Sequence, residues 1–146
     1  MKITPFLWFD GKVEEAMNFY VSVFKNSKVT NVTPGPNGTV MSATFELDGQ
    51  TFMALNGGPM FSFTPAVSFF VNCETQAEVD ELWEKLSEGG KKGRCGWLTD
   101  KYGLSWQVVP SILGKLLADK DAGRSKRVMA ALMKMDKLDI EQLQQA

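Results

Sequence analysis

The chain has 146 residues, 16 basic and 17 acidic, for a formal net charge of -1. That length suits one domain or two small fused modules and buries a core without disulfides, and the balanced charge argues against a nucleic-acid partner. There is no histidine, which excludes Ser-His-Asp and Cys-His catalysis and removes the commonest transition-metal ligand and general base.

The opening MKITPFLWFDG lacks the apolar core and cleavage site of a signal peptide. No apolar run approaches the roughly 20 residues that span a bilayer. A soluble, cytoplasmic protein with no membrane partner is expected. Residues 3–9, ITPFLWF, read as a strand, with Thr4, Phe6 and Trp8 on one face. Asp10-Gly11 breaks it. Val13, Ala16, Met17, Tyr20 and Phe24 then share a helical face, predicting a helix from Lys12 to Lys25.

Three strands follow, over 28–33, 39–47 and 50–55, with a turn at PGPNG and a tight hairpin at Asp48-Gly49. NGGPMFSFTP reads as a linker. The pattern then restarts. Ala66–Asn72 reads as a strand, and Thr75 and Glu78 as a capping box. Val79, Leu82, Trp83 and Leu86 line the helix after it, and shorter strands run over 93–98 and 104–109. With its middle strands weak, the second unit is inferred to repeat the β-α-β-β-β pattern of the first. Pro110 starts a helical tail, with Met-rich Arg124–Lys134 as core or subunit contact and Asp139 capping a last turn.

Few residues carry obvious chemistry. Cys73 and Cys95 form no C-x-x-C and read as structural thiols; Cys95 beside Arg94 is alternatively a reactive one. Glu46 and Asp48 flank a turn and make no acid–base pair. Lys91, Lys92 and Arg94 form a basic cluster in a loop, either solvated or steering an anionic ligand.

The stretches ITPFLWFDG, EEAMNFYVSVF, FELDGQTFMALNGGP, AVSFFVNC, EVDELWEKL, CGWLTDKYGLSWQVVP and RVMAALMKMDKLDIEQL together resemble the vicinal oxygen chelate superfamily, which includes glyoxalase I, bleomycin-resistance proteins and extradiol dioxygenases. They are most similar to its PhnB-like branch, often labelled demethylubiquinone methyltransferase. The resemblance implies an α+β fold: paired βαβββ modules forming a curled mixed sheet with a concave cavity, plus C-terminal helices. Residues 1–110 would be one domain (module one 1–57, linker 58–65, module two 66–110), and 111–146 a helical tail. It also implies a homodimer, with edge strands and the Met-rich helix as contacts.

Metal-using members of the superfamily place four ligands on cavity-facing strands. Carried over, these fall near Thr4 or Pro5, at Phe52, at Ala66 and at Gln107. A histidine frequent after GGP in the branch is Met60 here. None is a good donor for Zn, Ni or Fe. The chain also lacks the Gly-rich strand-to-helix loop that cradles a nucleotide-like cofactor. No metal and no cofactor are therefore expected.

The expected cavity lining is Thr4, Phe6, Trp8, Phe52, Ala54, Asn56, Ser68, Phe70, Ser105 and Gln107. Aromatic surface with a few polar handles suits a small organic ligand; the same aromatics could instead fill the cavity as core. Gln107 is open to three roles: metal ligand, ligand anchor, or partner of Ser105, Ser68 or Thr4. A metal-free binding protein is the favoured function. The alternatives are an enzyme of the superfamily with an unrecognised metal site or carboxylate or Cys chemistry, and a structural protein with a filled cavity.

Overall fold

The structure is a computed structural model that describes residues 3–146. The chain divides into two compact units, the first ending at Ser62 and the second spanning Phe63–Ala146.

The first unit contains β1 (Phe6–Phe9), α1 (Val13–Val23), β2 (Lys28–Pro34), β3 (Val40–Leu47) and β4 (Gln50–Asn56). Its sheet has the order β1-β4-β3-β2, and β1 runs parallel to β4. A parallel pair needs a long crossover, which α1 and the β2–β3 hairpin supply. Val13, Ala16, Met17, Tyr20 and Val23 are buried on one helical stripe. They cover Leu7, Phe9, Ala43, Phe45, Leu47, Phe52 and Ala54, all buried. Tyr20, Phe45 and Phe52 stack in a column, with centroids 6.4 and 5.6 Å apart. Asp48 and Gly49 both have positive φ, 48° and 81°, as a two-residue hairpin turn matched to strand twist requires.

The second unit repeats the plan with β5 (Ser68–Cys73), α2 (Gln76–Ser87), β6 (Lys91–Lys92), β7 (Trp97–Thr99) and β8 (Ser105–Pro110). Its order is β5-β8-β7-β6, with β5 parallel to β8. The expected duplication is present, as two four-stranded mixed sheets in place of one. The Thr75 hydroxyl accepts from the Glu78 N–H at 3.2 Å, as the capping box predicts. In the first unit β1 starts at Phe6 instead of Ile3, and in the second unit three boundaries differ from expectation by two residues or more. The first strand begins at Ser68, because Ala66 lies in a turn. Lys91-Lys92, read as loop, forms a short strand, and the 93–98 strand shrinks to Trp97–Thr99. Gly90, Gly93 and Gly96 flank these short strands, and a Cβ at each would fall within 3.0 Å of backbone oxygen.

The C-terminal helices are α3 (Ile112–Leu117), α4 (Ala122–Leu132) and α5 (Ile140–Gln145). Asp121 and Asp139 cap α4 and α5. They belong to the second unit. Val109 of β8 is buried with Leu113, Leu116, Val128, Leu132, Met135, Leu138 and Leu143. The Cys95 and Gly96 N–H groups donate to Met135 and Asp136 carbonyls, both at 2.8 Å. Gln76 donates to Leu138 O at 3.0 Å and accepts from Ile140 N at 2.8 Å.

Candidate functional site

Each sheet has one face against its own helix and one away from it. Strand alternation decides which residue goes where. In the second sheet, Ser68 stands opposite Ser105, Phe70 opposite Gln107, and Gln107 opposite Trp97. Trp106, Val108 and Leu98 take the alternate positions and are buried beneath α2 with Val79, Trp83 and Leu86. By register the helix-free face carries Ser68, Phe70, Ser105 and Gln107, with Ser105 buried, 1% exposed. Gln107 Nε2 donates to Ser68 Oγ at 3.0 Å, and Phe70 beside it is 54% exposed. Trp97, opposite Gln107, belongs to this face by register.

The first sheet departs from expectation. Phe6 pairs with Met53 and Trp8 with Leu55, whereas Leu7 pairs with Ala54 and Phe9 with Asn56. Phe6 and Trp8 are on the helix-free face. Phe52, Ala54 and Asn56 are on the helix side, so they do not share a face with Phe6 and Trp8. Phe52 is buried in the aromatic column. Asn56 is engaged in structural work: its Oδ1 accepts from Val13 N at 3.1 Å and its Nδ2 donates to Val40 O at 2.8 Å. It caps α1 from a neighbouring strand, where Lys12 offers no side-chain cap. The residues that replace Phe52 and Ala54 on the helix-free face are Met53 and Leu55. The hairpin could have shown this, because a two-residue turn at 48–49 pairs Phe52 with Phe45 and puts both on one side.

Trp8 is held by the residues that follow β4. Its Nε1 donates to Gly58 O at 2.9 Å, and Phe61 meets its ring edge-on at 5.0 Å. Gly57 lies so flat on the indole that a Cβ there would sit 2.3 Å from it. Thr4 lies before β1 and is half-buried.

Asp100 was not singled out in the sequence. It is 2% exposed. Its Oδ1 accepts from the N–H groups of Tyr102 at 2.8 Å and Leu104 at 3.0 Å, and its Oδ2 from Trp106 Nε1 at 2.9 Å. The signal available was an Asp opening a Gly-containing turn, with a Trp six residues on.

The residues present do not fit a superfamily metal. The position carried to Phe52 points to the helix side, Ala66 precedes its strand, and Gln107 donates to Ser68. Among the described residues, no group of three or more Cys, Asp or Glu could hold an ion. Nor do the strand-to-helix connections fit a nucleotide-like methyl donor. Asn56 takes the first N–H of α1, and the Thr75 hydroxyl takes that of Glu78 in α2.

The remaining polar groups are structural. Burial, and then Glu78 and Glu74, push the Cys73 thiol up to about 11, so it stays protonated and unreactive. Arg94, expected to favour a Cys95 thiolate, turns to Asp136 at 3.4 Å and Met133 O at 2.9 Å. Lys92 pairs with Glu84 at 2.9 Å on the helix side. Lys91, opposite Thr99, stands at the rim of the helix-free face. Glu46 pairs with Lys28 at 3.9 Å.

The family model for 3-demethylubiquinone-9 3-methyltransferase matches residues 1–109. The chain belongs to this family. A PhnB protein from Bacillus cereus, named after the same methyltransferase, is 42% identical, with a TM-score of 0.72 over 76% of this chain and 100% of that one. The genomically encoded fosfomycin resistance protein FosX from Listeria monocytogenes is 15% identical, with a TM-score of 0.62 over 82% of this chain and 98% of that one. A glyoxylase/bleomycin resistance protein/dioxygenase domain from Frankia is 13% identical, with a TM-score of 0.51 over 75% and 91%. No curated protein matches the chain. This PhnB-like protein thus has the fold of the glyoxalase and bleomycin-resistance superfamily. Among its described residues, no helix is long and apolar enough to cross a membrane.

Proposed function

We propose that this PhnB-like protein is a cytoplasmic, metal-free binder of a small, neutral, partly aromatic molecule. The ligand rests on the helix-free face of the second sheet, between Phe70 and Trp97, and is anchored by Gln107 and Ser68. The observation that carries this reading is the Gln107–Ser68 hydrogen bond of 3.0 Å beside a Phe70 that is more than half exposed. The pair presents a carbonyl acceptor and a hydroxyl beside apolar surface, as organic-ligand sites do. Thr99, paired with Ser105, lines the approach. On the first sheet, Thr4, Phe6, Trp8 and Met53 offer a second apolar face. We read the methyltransferase name as a family label, because the residues present fit neither a superfamily metal nor a nucleotide-like methyl donor.

The test is metal analysis of untagged protein, followed by ligand-observed NMR with neutral aromatic amides and phenols. Less than about a tenth of an equivalent of transition metal is expected, with no thermal stabilisation by divalent ions. Gln107→Leu should weaken the aromatic-amide hits by about 3–10-fold, the worth of one hydrogen bond. One equivalent of metal with clear stabilisation, or hits indifferent to Gln107→Leu, would sink the reading. A homodimer through edge strand β2 and α4 is part of the proposal. It is supported by exposed Val29, Val32, Met129 and Met133 and tested by light scattering against the 16.2 kDa monomer mass.

A further inference from the structure

We propose that Asp100 is a positioning residue that sets the register of β8 and so decides that Gln107, not Trp106, faces the ligand. The inference rests on the reading of Ser68 and Gln107 as anchors. A strand that slips by one residue sends every side chain to the opposite face. On one side β8 pairs with β5 over six residues, but its hairpin side is weakly specified: β7 has three residues, β6 has two, and glycines interrupt the chain between them. The β7–β8 turn is five residues long, from Asp100 to Leu104, so it fixes register less firmly than a two-residue hairpin.

The Asp100 carboxylate supplies what the turn lacks. One oxygen gathers the Tyr102 and Leu104 N–H groups, while backbone bonds Asp100 N to Leu104 O (2.8 Å) and Gly103 N to Asp100 O (2.9 Å) close the loop. The other oxygen holds the indole N–H of Trp106 at 2.9 Å. Trp106 lies between Ser105 and Gln107, is 2% exposed and packs on Phe69 with centroids 5.5 Å apart. With Trp106 tied to the helix side, alternation forces Ser105 and Gln107 to the other. A buried carboxylate is an expensive way to close a turn unless its bonds specify something. Here they couple turn geometry to the face each residue presents.

The experiment is NMR on the full chain without ligand, so its outcome is independent of whether aromatic amides bind. Asp100→Asn keeps size and two acceptor bonds but sets an amide donor against the indole N–H. It should raise amide hydrogen exchange in β8 at least about 10-fold and weaken the cross-strand contacts Trp97–Gln107 and Leu98–Trp106. It should also shift the Gln107 side-chain amide signal, with first-sheet amides unchanged. Trp106→Phe removes the donor and leaves a ring in place; added to Asp100→Asn, it should move the Gln107 signal little further, because both residues act through one bond. Should Asp100→Asn fail to fold, Trp106→Phe alone is read, with a smaller shift of the same signal expected. An unaltered Gln107 signal and β8 register in the variant that folds would overturn the proposal, whatever the melting temperature does.

Discussion

The two units share one strand order and solve different problems with it. The first is a strand-rich unit held by an aromatic column, with β3 and β4 eight and seven residues long and a turn of two residues. The second has strands as short as two and three residues. It compensates with a buried carboxylate in its turn and three helices on its C-terminal side. Apolar alternation under one helix suffices to specify the topology, while the opposite face is free to diverge. In the first unit that face carries Phe6, Trp8, Met53 and Leu55; in the second it carries Ser68, Gln107 and Ser105 around Phe70 and Trp97.

The strongest way to break this contrast is to remove a member of the column. Phe45→Ala should cost about 3–5 kcal/mol, because Phe45 is 1% exposed between Tyr20 and Phe52. Urea unfolding would measure the loss, and hydrogen exchange should place it in β3, β4 and α1 with β8 protected. In the second unit Leu138→Ala should cost about 2–5 kcal/mol, since Leu138 is fully buried against Gly96 and the helical cluster. There the loss of protection should fall on α3–α5 and the 95–97 segment, whose N–H groups bond to the tail.

Smaller effects sharpen the comparison. Asn56→Ala should cost about 1–2 kcal/mol by freeing the first N–H of α1, with fraying of that helix visible by hydrogen exchange. Cys73 gives the second unit its own pH dependence. Its folded-state value is raised from 9.0 to about 11, so its stabilisation is complete below pH 9 and is lost as pH rises toward 11, where the unfolded thiol ionises first. The melting temperature should fall over that window, and Cys73→Ala should flatten the fall.

Most of the elements were legible because they depend on period. Val13, Ala16, Met17, Tyr20 and Val23 announce α1, and 39–47 alternates plainly. The weak middle strands of the second unit were misplaced because β6 and β7 are too short to show a period. The candidate site was half legible: Ser68, Phe70, Ser105 and Gln107 share a face, while Phe52, Ala54 and Asn56 do not join Phe6 and Trp8. Counting outward from the Asp48-Gly49 turn would have corrected Phe52; nothing local reveals that Asn56 caps a helix 43 residues earlier in the chain.

The sequence by itself determined the duplicated βαβββ plan, the absence of imidazole chemistry and the family, since these rest on residue type and spacing. Only the tertiary structure decided which side of each strand meets a helix, where the tail docks, and that Asp100 turns inward to hold Trp106. The physical reason is that alternation gives two equivalent faces, and only long-range packing tells them apart.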